Sequence, residues 1–270
     1  MACKTNIINP EIEVRKICNW IKDYFINNGP DAKAVVGISG GKDSTIAAAL
    51  LALALGPDRV IGVLMPEYNQ ADIDDALKVC EVLKIDKHII NIGPVCSELY
   101  EAFSANTGFA TNSQITTNTP ARVRMTTLYM VAAAVHGRVV NTCNRSEDYV
   151  GYSTKYGDLA GDFSIFKNYC VRDILAIGDY LGLPNYLVHK IPSDGMCGKT
   201  DEDNLGFTYE ELDAYIIDKV IPTNYETYKK IVLKHKNNLH KECINLLAPD
   251  APFYLPDYTM KKYINTTQGE

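Results

Sequence analysis

The chain has 270 residues, 46% hydrophobic and 22% charged, which excludes a disordered or fibrous protein and allows one sizeable core. A net charge of −6 excludes a general nucleic-acid-binding surface while leaving room for a local basic pocket. The longest apolar run, Ile46–Leu55, is too short to span a bilayer, so no membrane partner is expected.

Val14, Ile17, Ile21, Tyr24 and Phe25 recur at helical spacing and predict an amphipathic opening helix, ended by Asn27-Asn28-Gly29-Pro30. A strand over Ala34–Ile38, a glycine loop and a helix over Ser44–Leu55 follow. Val60–Leu64 reads as a buried strand, Ile73–Leu83 as a helix and His88–Ile92 as a third strand. Residues 104–119 are rich in Thr and Asn and read as a loop before a helix over Arg122–Val135. Arg138–Thr142 is a fourth strand, and residues 143–168 read as irregular. Helices are expected over Arg172–Leu181, Glu211–Val220 (capping-box spacing from Thr208) and Tyr225–Lys236, with a polar, lid-like loop over 192–207 and a tail from about 240 to 270. Strand–helix alternation predicts a parallel sheet covered on both faces, in a single domain spanning 1–270.

The chemistry concentrates at Gly37-Ile38-Ser39-Gly40-Gly41-Lys42-Asp43-Ser44, between the first strand and its helix. Small residues let backbone approach an anion, and the N–H groups opening the next helix point at it. It is not a Walker A loop, because Asp43 separates Lys42 from Ser44, and there is no Gly-x-Gly-x-x-Gly. Asp43 would repel phosphate unless a metal lay between them, and Mg²⁺ is commonly held by one or two carboxylates plus phosphate oxygens. The segment resembles the pyrophosphate-binding loop of the ATP pyrophosphatases, which form adenylates and release pyrophosphate. The eight cysteines include no Cys-x-x-Cys pair and read as scattered thiols in a reducing cytosol, and Met1–Pro10 lacks a signal-peptide core, so a cytoplasmic location is expected.

Ligands of open parallel sheets bind at the carboxyl ends of strands, which singles out Val140-Asn141-Thr142-Cys143-Asn144 and then Glu147. Gly151-Tyr152-Ser153-Thr154-Lys155-Tyr156-Gly157-Asp158 and Gly161-Asp162 follow. This block, Arg122-Val123-Arg124-Met125, Pro192-Ser193-Asp194-Gly195 and Lys199-Thr200-Asp201-Glu202 together resemble the ammonia-dependent NAD synthetases, over about residues 11 to 240.

The resemblance implies a three-layer α/β/α fold with a mostly parallel, Rossmann-like five-stranded sheet of the adenine nucleotide alpha hydrolase type. Residues 37–44, Thr142, Val171 and Ser193 would contact ATP, and Asp43 and Glu147 would hold Mg²⁺. Arg122, Lys155, Asp162, His235 and Lys236 would contact deamido-NAD, with Asp43, Ser44 and Lys155 at the reacting centre. A second pair, His240-Lys241, leaves the last assignment open. Two departures stand out: Val171 occupies a family lysine position and Leu64 a family arginine position. The implied reaction is ATP-dependent amidation of deamido-NAD by free ammonia through an NAD-adenylate, with release of AMP and pyrophosphate, in a homodimer that binds the dinucleotide at its interface. The helix over Arg122–Val135 is the candidate interface. The alternatives are another ATP pyrophosphatase, GMP-synthesising or tRNA-modifying, and a nucleotide-sensing module without turnover.

Overall fold

A computed structural model describes residues 8–70, 73–190 and 200–242. Five strands form one parallel sheet in the order β3-β2-β1-β4-β5. They are β1 (Ala34–Gly37), β2 (Val60–Leu64), β3 (Asp86–Ile89), β4 (Arg138–Asn141) and β5 (Phe163–Ser164). The strand order reverses between β1 and β4, which pair directly through Ala34 with Arg138 and Val35 with Val139. That switch point opens a crevice at the carboxyl ends of the two strands.

Alternation along the strands divides the core. Ala34, Val36, Val60, Leu64 and Val140 face one cluster, shared with α1 (Pro10–Asn28), α2 (Lys42–Leu55), α3 (Ile73–Leu83), α7 (Val171–Tyr180) and α8 (Asn185–Val188). Val35, Ile61, Val63 and Val139 face the other, covered by α4 (Gly93–Thr107) and α5 (Ser113–Ala134). The predicted three-layer architecture is therefore the observed one. A third, smaller cluster joins α6 (Arg145–Val150), α9 (Asp201–Leu205), α10 (Tyr209–Asp218) and α11 (Tyr225–Glu242). Among the described residues no helix is long and apolar enough to cross a membrane.

Several boundaries differ from the sequence reading. Most of residues 104–119 are helical: α4 runs to Thr107, and α5 starts at Ser113, where the Asn112 side chain accepts a hydrogen bond from the Ile115 amide. The polar composition concealed a helix whose first turns face the crevice rather than the core. The irregular stretch 143–168 contains α6, begun by a capping box between Asn144 and Glu147, and the two-residue strand β5. β3 starts two residues and ends three residues earlier than its apolar pattern suggested, because this edge strand is exposed throughout. α11 continues past Lys236 to Glu242.

Gly151 ends α6 at φ +65°, and a Cβ there would lie 2.1 Å from the Asn238 Cβ of α11. Gly151→Ala combines left-handed strain with a helix–helix clash and is expected to cost at least about 2 kcal/mol. In a chain of this size that lowers Tm by roughly 4–8 °C, measurable by thermal denaturation.

Candidate active site

The glycine loop is held by its own hydroxyls. Ser39 and Ser44 hydroxyls lie 3.1 Å apart, the Gly41 amide donates to Ser39 Oγ at 3.2 Å, and Thr45 Oγ1 donates to the Gly41 carbonyl at 2.7 Å. Gly40 takes φ +80°, which a glycine adopts without strain. Gly41 is the N-cap of α2 and offers no side chain to the helix, so the first amides of α2 have no side-chain acceptor at the cap. With the helix dipole behind them, they form an anion-binding end.

The second half of the site comes from β4. Asn144 closes the capping box of α6: its Oδ1 accepts from the Glu147 amide at 3.0 Å, and Glu147 Oε2 accepts from the Asn144 amide at 3.2 Å. Asn144 Nδ2 also donates to Asp43 Oδ1 at 3.1 Å. One asparagine thus ties the carboxylate after β1 to the carboxylate after β4 across the switch point. Burial, with the nearby Asp43 carboxylate, pushes Glu147 well above the usual carboxylate range. Lys42 is buried beside them and donates to Asp43 Oδ2 at 2.9 Å. Burial would lower its ammonium pKa, but Asp43, Glu147 and Asp201 outweigh that and raise it.

The crevice is a cavity of about 680 Å³. Of the predicted residues, Gly37, Ile38, Ser39, Gly41, Lys42, Asp43, Ser44, Thr142 and Glu147 line it. Arg122 and Lys155 are outside this lining but close together, with Arg122 Nε donating to the Lys155 carbonyl at 3.3 Å. The Thr154–Asp158 block is a self-closing turn: the Thr154 amide donates to Asp158 Oδ1 at 2.9 Å, and Tyr156 takes φ +64°. Thr154 Oγ1 reaches Asn118 of α5 at 2.8 Å, so this turn also fixes the crevice wall.

Four expectations are placed elsewhere. Val171 is buried in the third cluster, and its amide donates to Ser146 Oγ at 3.1 Å. Asp162 has both oxygens engaged, by the Val139 amide at 2.7 Å and the Tyr129 hydroxyl at 3.2 Å, and lines a separate cavity of about 380 Å³. His235 stacks on Tyr149 at 4.0 Å and contacts its carbonyl through Nδ1 at 2.8 Å; Lys236 is exposed. The other pair reaches the site: Lys241 lines the cavity and donates to the Gly151 and Ser153 carbonyls at 2.6 and 2.8 Å, while Lys155 Nζ donates to the His240 carbonyl at 2.8 Å. Ser193 and the first half of the lid-like loop, 192–199, lie outside the described residues.

Residues not singled out for roles also line the cavity: Arg124, Asp158 and Asp201. Arg124 Nε donates to the Met65 carbonyl at 3.1 Å, and burial lowers its pKa. Arg124 and Asp201 stood within motifs whose side-chain directions sequence does not give.

Ser146 and Asp213 form a buried support beneath α6 and α7. Ser146 Oγ donates to Asp213 Oδ1 at 2.5 Å, and the Arg172 amide donates to Oδ2 at 2.8 Å. Burial raises Asp213 from 3.8 to about 6. The protonated acid therefore contributes stability below pH 3.8 that is lost as pH rises through about 6. Asp213→Asn is expected to flatten this decline by about 3 kcal/mol at most, as read from urea unfolding between pH 4 and 8.

A doubly wound parallel sheet with an anion-binding loop and two linked carboxylates at its switch point defines a nucleotide-binding α/β enzyme. Residues 13–246 match the model of the NAD synthase family, and the chain belongs to that family. It is 42% identical over 183 residues to the NH(3)-dependent NAD(+) synthetase of Thermococcus kodakarensis, covering 67% of this chain and 70% of the relative. The corresponding synthetase of Methanoregula boonei is 34% identical over 84% of this chain and 91% of its own. The solved NMN synthetase of Francisella tularensis superposes with a TM-score of 0.81 at 34% identity, over 90% of this chain and 99% of that one.

Proposed function

We infer that this chain amidates deamido-NAD with ammonia at the expense of ATP, giving NAD⁺, AMP and pyrophosphate. The observation that carries the reading is the Asn144 bridge, which sets Asp43 and Glu147 side by side next to the open end of α2. The nicotinate carboxylate attacks the α-phosphorus of ATP, and pyrophosphate leaves. Ammonia then attacks the resulting acyl-adenylate, and AMP leaves. Both reactants of the first step are anionic, so the protein must offset their repulsion. The α2 amides and Lys42 supply positive potential on the phosphate side. Arg122, Lys155 and Lys241 supply it where the acceptor enters. No side chain needs to act as nucleophile, and the described cysteines are buried free thiols, in keeping with a cytosolic location.

Asp43 and Glu147 suit a hard divalent cation, since two linked carboxylates in a buried setting repel one another and lack a full complement of charge. Mg²⁺ would be held by these two residues with phosphate oxygens, and when bound it would neutralise charge developing on the triphosphate. The protein would act as a homodimer through the outer surface of α4 and α5, where Val95, Leu99, Tyr129 and Met130 are exposed.

The likeness to an NMN synthetase favours a second acceptor, nicotinate mononucleotide. Initial rates with each acceptor, ATP, Mg²⁺ and ammonium, with products separated chromatographically, decide the matter. The primary reading predicts at least about tenfold higher kcat/KM for deamido-NAD, a difference of about 1.4 kcal/mol. The reverse preference would establish the mononucleotide reading.

A further inference from the structure

Lys42 presents an ammonium where the site is expected to bind a metal. Its side chain is 4% exposed, its Nζ lies 2.9 Å from Asp43 Oδ2 and 5.5 Å from the centre of the Tyr209 ring, and the fields of Glu147 and Asp201 act on it. A buried ammonium is retained only where anions repay its desolvation. Here the nearest anion is Asp43, one of the two carboxylates assigned to Mg²⁺, and Asn144 ties it to the helix start that carries the other. The pair is therefore partly neutralised before any metal arrives.

We propose that Lys42 is an internal counter-ion of the Asp43–Glu147 pair, displaced when the divalent cation enters, and that it makes entry of the metal depend on ATP. The inference rests on the metal reading above and deepens it. Bare Mg²⁺ would have to expel a buried ammonium without giving it a new partner. Mg²⁺ arriving with ATP would not, because Lys42 belongs to the loop beside the anion-binding end of α2, and the triphosphate can take over as its counter-ion. The coupling is reciprocal, so metal must strengthen ATP binding by the same factor. Lys42 is then a positioning residue that keeps the two carboxylates together and admits the metal with its substrate.

The test uses Mn²⁺ as the probe, titrated by electron paramagnetic resonance into the ligand-free protein, with and without a non-hydrolysable α,β-methylene ATP. In Lys42→Met, which keeps the length and removes the charge, Mn²⁺ alone is expected to bind about tenfold more tightly than in the wild type. The strengthening of Mn²⁺ binding by the nucleotide should shrink by a similar factor, and Lys42→Arg should restore much of it. Asp43→Asn in either background should abolish this binding. Mn²⁺ binding that depends on Asp43 but is unchanged or weakened in Lys42→Met overturns the counter-ion role and leaves the metal site standing. Binding indifferent to Asp43 in every variant overturns both. Should Lys42→Met fail to fold, the wild type carries the test: the Lys42 ammonium signal in nitrogen-15 spectra, identified by its loss in Lys42→Arg, must move on adding Mg²⁺ alone at saturation. A signal unmoved at saturating metal contradicts displacement.

Discussion

Asp43→Asn is expected to lower the rate of NAD⁺ formation by about 10³-fold or more while leaving the fold intact. The substitution keeps the size of the side chain, and its amide oxygen can still accept from Asn144 Nδ2, so the link between the two halves of the crevice survives. The negative charge is lost, and with it the second oxygen, Oδ2, that accepts from Lys42 Nζ at 2.9 Å. Removing one preorganised group at a site of developing charge commonly costs 10²- to 10³-fold, and loss of a metal ligand adds to that. Steady-state NAD⁺ formation with far-UV circular dichroism as the folding control gives the answer. Near-native turnover would refute the role assigned to Asp43.

Glu147→Gln is expected to move activity and stability in opposite directions. Activity should fall by a factor similar to that for Asp43→Asn. Stability of the ligand-free protein should rise above neutral pH. Glu147 is held above its ordinary carboxylate range by burial and by Asp43, so the folded state binds a proton that the unfolded state has released. Its contribution is fully present at acid pH, below the unfolded value, and is lost as pH rises through the folded one. Glutamine mimics the protonated acid and does not suffer that loss. It also preserves the helix start, because its carbonyl can accept from the Asn144 amide as Glu147 does. The gain should appear as a higher Tm at pH 8 that shrinks towards pH 4. A variant less stable than the wild type at both pH values would show that the ionised pair contributes net stability.

The fold was legible where strands are buried on both faces. Ala34–Gly37 and Val60–Leu64 are apolar throughout, and Gly and Pro mark the ends of their helices. It was least legible where tertiary contacts override composition. The first turns of α5 are Thr- and Asn-rich because Thr117 and Asn118 face the crevice. The glycine loop and Glu147 were placed at the crevice by the rule that ligands of open parallel sheets bind at the carboxyl ends of strands, and they line it. Val171 and His235 lie off the cavity lining, since a resemblance gives position along the chain and not direction: one side chain is buried in a core cluster and the other stacks on Tyr149. The choice between the two His-Lys pairs depended on how far α11 runs. Five residues beyond Lys236, Lys241 lines the cavity, and the periodicity of a lysine-rich surface helix does not fix its end.

On the proposed function, the nicotinate carboxylate becomes joined to the α-phosphorus of ATP. Oxygen-18 placed in that carboxylate tests it most directly, with AMP, pyrophosphate and NAD⁺ analysed by mass spectrometry after turnover with ammonium. One labelled oxygen is expected in AMP for each NAD⁺ formed, and none in pyrophosphate. Unlabelled AMP, or ADP and labelled phosphate as products, would contradict it.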